Sequence, residues 1–99
     1  MAQVKWTKIA TNQLERAIKY IKEEQGTIYA EIVLSKILKS TSFLTSHPRM
    51  GTKEPLLEHK KHEYRYLVVW SYKIIYKVTK NDDITIARVF HTSQDPSKT

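Results

Sequence analysis

The sequence predicts an α+β fold in which an antiparallel helical hairpin covers one face of a small antiparallel sheet. Three observations carry that expectation. Residues 64–90 hold three short runs rich in Val, Ile, Tyr, Trp and Phe: Tyr64–Trp70, Tyr72–Thr79 and Ile84–Phe90. Such residues suit a half-buried pleated surface. The breaks between the runs, Ser71 and Asn81-Asp82-Asp83, are short enough to force an antiparallel meander. Upstream, apolar residues recur at three- and four-residue steps on both sides of Gly26, the spacing of two amphipathic helices.

In chain order, Ala2–Trp6 is a candidate first strand, with Val4 and Trp6 on one face and Gln3 and Lys5 on the other. Thr7 suits a helix N-cap, because its hydroxyl can accept from an otherwise unpaired amide of the first turn. Ala10, Leu14, Ala17, Ile18 and Ile21 then form an apolar stripe. Gly26 can end that helix in a backbone conformation that costs other residues energy, and Thr27 can start the next. The second helix, about Ile28 to Leu44, carries Ala30, Val33, Ile37 and Leu44 on one side, with Leu34 and Leu38 widening the stripe. So short a link folds the two helices back on each other. His47-Pro48 ends the second, since the residue before proline is pushed out of helical geometry. Residues 49–62 are polar and charged, with Leu56 and Leu57 expected to pin them to the body, and residues 95–99 read as a frayed tail.

The middle run alternates. Tyr72, Ile74, Tyr76 and Val78 fall on one face, Lys73, Ile75 and Lys77 on the other. The first face is expected to meet the helices, and the second to be basic and wet. The last run does not phase clearly, since Ile84, Ile86 and Phe90 share a parity with Arg88.

Ninety-nine residues make one domain, 1–99, and a formal charge of +7 predicts attraction to phosphate backbones or an acidic protein. No cysteine is present, which excludes disulfide and thiolate chemistry. No signal-like or membrane-length apolar run occurs, so a soluble, cytoplasmic protein without membrane contact is expected. His59 and His62 lie three apart, but Lys60 and Lys61 between them repel a cation and no further ligand set is visible. Neither a metal nor another cofactor is expected.

The order strand, helix, helix, charged loop, three-strand meander resembles the RelE/ParE superfamily of bacterial toxins. The residues that carry the likeness are Trp6-Thr7, the Leu14/Ile18/Tyr20-Ile21 pattern, His47-Pro48-x-x-Gly51, Tyr64-Arg65-x-Leu67-Val68-Val69, Tyr72 through Val78, and Arg88-Val89-Phe90-His91 with Asp95. The resemblance covers nearly the whole chain. It implies the toxin of a type II toxin–antitoxin pair, neutralised by a cognate antitoxin whose partly disordered tail wraps it. One branch of the superfamily cuts messenger RNA within the ribosome, and the other inhibits DNA gyrase without a nuclease centre.

Metal-free RNA cleavage needs a base for the 2′-hydroxyl, cations for the phosphate and an acid for the leaving oxygen. Glu58, His59 or His62 could supply the base, Arg65, Lys73 and Arg88 the cations, and His91 the acid. A plain structural role is open to each: Arg65, Lys73 and Lys77 as a solvated sheet face, Arg88 in a cross-strand ion pair, His91 bonded to Asp95. Lys60, Lys61, Arg65, Lys73, Lys77 and Arg88 form the candidate surface for nucleic acid, ribosome or antitoxin. The ribonuclease branch often has arginine on the middle strand, where this chain has Lys73. Lysine grips phosphate only as a point charge, so the residues lean towards the gyrase-directed, ParE-like branch.

Overall fold

The computed structural model describes residues 2–95. Its elements are β1 (Val4–Trp6), α1 (Lys8–Gln25), α2 (Thr27–Phe43), β2 (Thr52–Lys53), β3 (Glu63–Val69), β4 (Tyr72–Val78) and β5 (Ile84–His91). Short 3-10 turns lie at Pro55–Leu57, Lys80–Asp82 and Thr92–Gln94. The five strands form one sheet in the order β1-β5-β4-β3-β2. β1 pairs parallel to β5 at an edge, and the other neighbours are antiparallel. The expected meander is therefore the centre of a larger sheet, extended by β2 from within the segment expected to be a loop.

The local signals act as their chemistry suggests. Thr7 Oγ1 accepts from the Ala10 amide at 3.1 Å, capping α1. Gly26 has φ +96° and ψ 165°, a region open to glycine, and caps both helices, with its amide donating to Lys22 O at 3.0 Å. Ala10, Leu14 and Ile21 of α1 and Ala30, Val33, Ile37 and Leu44 from α2 and its end are buried against Tyr72, Ile74, Tyr76, Val78, Ile84, Ile86 and Val89. Ile18 only partly joins this core, and Leu38, expected to widen the α2 stripe, is 46% exposed.

The ambiguous phase of β5 has a cause. Tyr76 faces Ile86 and Ile75 faces Arg88, so Ala87 is an extra residue, a β-bulge. Ile84 and Ile86 before it, and Val89 after it, all reach the helix side. Cross-strand partners share a face, so Arg88 and Phe90 join Ile75 and Lys73 on the opposite side. His91, paired with Tyr72, stays with the helices.

Candidate functional site

The nominated residues fall into three sets. Arg65, opposite Tyr76, lies on the helix side of the sheet, beyond the helices' reach, and holds a turn in place there. Its guanidinium donates to Gly51 O at 2.7 Å and is ion-paired with Glu63. The Arg65 hydrogen bond holds the Glu63 carboxyl below its ordinary range, against some desolvation and with help from the charge of Arg49. The same turn explains His47-Pro48-x-x-Gly51. The buried Tyr76 hydroxyl donates to Pro48 O and accepts from the Gly51 amide, both at 2.9 Å. A Cβ on Gly51 would come within 2.5 Å of Tyr66 O and 2.7 Å of the Tyr76 hydroxyl, so only glycine fits. Arg65 and this motif together fasten the turn at Pro48–Gly51 to the sheet.

The second set corrects the expectation of a wet basic face. Lys73 is 2% exposed, and its ammonium lies 2.8 Å from both Glu54 Oε2 and Asp95 Oδ2. The Asp95 contact is a hydrogen bond. The Glu54 oxygen is held by the same ammonium as an ion pair, and both carboxylates act on the lysine. The Tyr66 ring closes another side, 4.2 Å from the ammonium. Burial pulls the Lys73 pKa down, but the two carboxylates outweigh it and raise it above the ordinary lysine value. Ile75, 8% exposed, extends the same covered strip. Leu57 is half-buried and Leu56 exposed, so Glu54 rather than the leucine pair anchors residues 54–57. Asp95 is buried, not frayed, and residues 96–99 lie outside the described residues.

The third set remains accessible. Arg88 is exposed and its guanidinium donates at 2.8 Å to the carbonyl of its own neighbour Ala87, not to an acid across the sheet. With Lys60, Tyr64, Ile75 and Phe90 it lines a cleft on the side away from the helices. Lys77 is half-exposed, and Glu58, His59, Lys60, Lys61 and His62 are exposed on the loop before β3. His91 lines a different cleft, with Arg16, Tyr20 and Tyr72. Its partner is Ser93 rather than Asp95: the Ser93 amide donates to Nδ1 at 3.1 Å. The two clefts adjoin along the β5 edge, where Gln13, Phe90 and Gln94 border both. Among the described residues no group of three His, Asp or Glu side chains is placed to hold a metal ion.

One residue that matters here escaped the sequence reading, and the place of another was misread. Glu54 lies beside Pro55 in a stretch without periodicity, and no local signal marks it as the buried partner of Lys73. Trp70, read as the end of a strand, is the exposed tip of the β3–β4 hairpin, and its apolar neighbours along the sequence masked that.

The order of a single strand, a helical hairpin and an antiparallel meander fits a toxin domain of the RelE/ParE class. The family model described as the ParE toxin of type II toxin-antitoxin system, parDE, matches residues 4–96, and the chain belongs to that family. Among solved structures, one titled as the chromosomal ParDE TA system from P. aeruginosa matches with TM-score 0.73 and 20% identity. The match covers 92% of this chain and 96% of that one. No curated protein matches.

Proposed function

We propose that this type II toxin inhibits growth by acting on DNA gyrase in the cytoplasm, and that a cognate antitoxin neutralises it. The observation that carries the reading is the state of Lys73. Cleavage of RNA without a metal needs free cations at the phosphate, and the middle-strand position where nucleases of the superfamily often hold arginine is filled here by a buried, doubly paired lysine. Freeing that ammonium would take from a buried site the cation that Glu54 and Asp95 share, which is costly. The remaining nominees divide as well, with Arg88 on one side of the sheet and His91 on the other. A single phosphate would have to be reached around the β5 edge. Family membership supports the gyrase-directed branch.

The antitoxin contact expected over Arg65, Lys73, Lys77 and Arg88 narrows accordingly. Arg65 and Lys73 already have internal carboxylates, so acidic residues of the partner would meet Lys60, Lys77 and Arg88. Apolar anchors would meet Phe90 and Leu56 in the same cleft as Lys60 and Arg88. Expression of the chain in bacteria tests the target: growth arrest should come with altered plasmid topology and broken DNA while messages stay full length. Messages cut soon after induction, with topology unchanged, would establish the ribosome-dependent endonuclease instead.

A further inference from the structure

The tip of the β3–β4 hairpin breaks a local rule. Val69 and Tyr72 are its last cross-strand pair, leaving Trp70 and Ser71 as a two-residue loop. Trp70 has φ +56° and Ser71 does not have positive φ, the sign pattern of a type II′ turn. Glycine is favoured at its first position because a Cβ there crowds the backbone. A bulky aromatic is among the residues least suited to that position. Two contacts hold it there. The Trp70 ring meets Tyr29 of α2 edge to face, centroids 5.4 Å apart, and the Thr92 amide donates to Ser71 O at 2.8 Å.

These contacts do not hide the ring. Trp70 is 47% exposed and Val68 beside it 55% exposed. Lys36, Lys39 and Ser40 of α2 share a shallow cleft with Val68, Val69 and Trp70, and no acidic residue lines it. Folding alone would be served better at this turn by Gly or Asn. A strained backbone that presents a large ring to solvent is the kind of feature kept at binding sites. Tryptophan is also the side chain most enriched among residues that dominate protein–protein binding energy.

We propose that Trp70 is the residue by which this toxin grips its protein target. The ring enters an apolar pocket, and carboxylates around that pocket face Lys36 and Lys39. The absence of acids in the cleft and the pair of lysines give it the charge complement of an acidic rim. Val68, which lines the same cleft and is exposed, adds apolar surface that suits a protein partner better than a phosphate backbone. This surface is distinct from the Lys60/Arg88 cleft assigned to the antitoxin. The inference rests on the gyrase reading and names where gyrase is held.

Trp70→Asn tests it, because asparagine tolerates the turn while removing the ring. The expected result is a melting temperature within about 5 °C of wild type, strain relief offsetting the lost Tyr29 contact. The concentration needed for half-inhibition of supercoiling should rise at least about tenfold. Lys36→Glu with Lys39→Glu should weaken inhibition and binding to DNA-free gyrase in parallel. Trp70→Asn inhibiting as well as wild type overturns the proposal. If that variant does not fold, Trp70→Phe and the lysine pair decide, and wild-type inhibition by both overturns it. Loss of DNA binding with gyrase binding intact overturns the protein partner. A wild type that leaves supercoiling untouched refutes the gyrase reading itself. The surface is then judged by growth arrest, which Trp70→Asn at equal expression must relieve if the tip grips the target.

Discussion

Replacing Lys73 by methionine keeps most of the side-chain volume and removes the charge that Glu54 and Asp95 enclose. Both carboxylates are nine-tenths or more buried, so neither can recover full hydration in place. Breaking a buried ion pair by removing one partner typically costs about 3–5 kcal/mol, most of it the desolvation of the charge left behind. For a domain of this size that lowers the melting temperature by roughly 15–25 °C. Adding Glu54→Gln and Asp95→Asn to Lys73→Met should recover part of the loss, because neutral amides cost less to bury than carboxylates that have lost the ammonium. The assay is thermal melting by circular dichroism of wild type, single and triple variants at neutral pH. A Lys73→Met protein melting within about 3 °C of wild type would mean that the ammonium is not committed to these carboxylates. The case against a phosphate-binding Lys73 would fall with it.

Three further outcomes are expected. Tyr76→Phe leaves the Gly51 amide and Pro48 carbonyl without their hydroxyl and should cost about 2 kcal/mol in urea unfolding, with an unchanged slope. For pH, Lys73 has its folded pKa raised, so its contribution is complete below the ordinary lysine value of 10.5 and is lost as pH rises through the higher folded value. Glu63 has its folded pKa lowered, so its contribution is complete above 4.5 and disappears as pH falls through the folded value. Melting against pH should show both limbs, with the alkaline one shrunken in the triple variant and the acid one in Glu63→Gln. Lys77→Glu with Arg88→Glu should slow antitoxin association more than it speeds dissociation, and the wild-type rate should fall with salt. Association rates flat across a salt series would remove this face as the landing surface.

What the sequence revealed was local. Thr7 and Gly26 cap helices through their own backbone neighbourhood, and the stripe through Ala30, Val33 and Ile37 needs only helical spacing to be seen. The His47-Pro48-x-x-Gly51 motif was visible, but its reason was not: the hydroxyl it surrounds belongs to Tyr76, on another element. Alternation in β4 located the helix-facing side correctly and misjudged the other, because the cover comes from Glu54 and Asp95, distant in sequence. Ile75, between two lysines on a face taken to be wet, was a trace of that cover. In β5 the extra residue at Ala87 moved Arg88 and Phe90 off the face that Ile84 and Ile86 occupy. A period-two reading cannot detect such a shift.

The proposal that this toxin acts on gyrase and not on messages is tested most directly with purified protein in two parallel reactions. One contains relaxed plasmid, gyrase and ATP, and the other translating ribosomes carrying a defined message. The expected result is a dose-dependent fall in supercoiling, accumulation of gyrase-linked broken DNA, and an intact message. Cleavage of the message on the ribosome with supercoiling at its normal rate would contradict it.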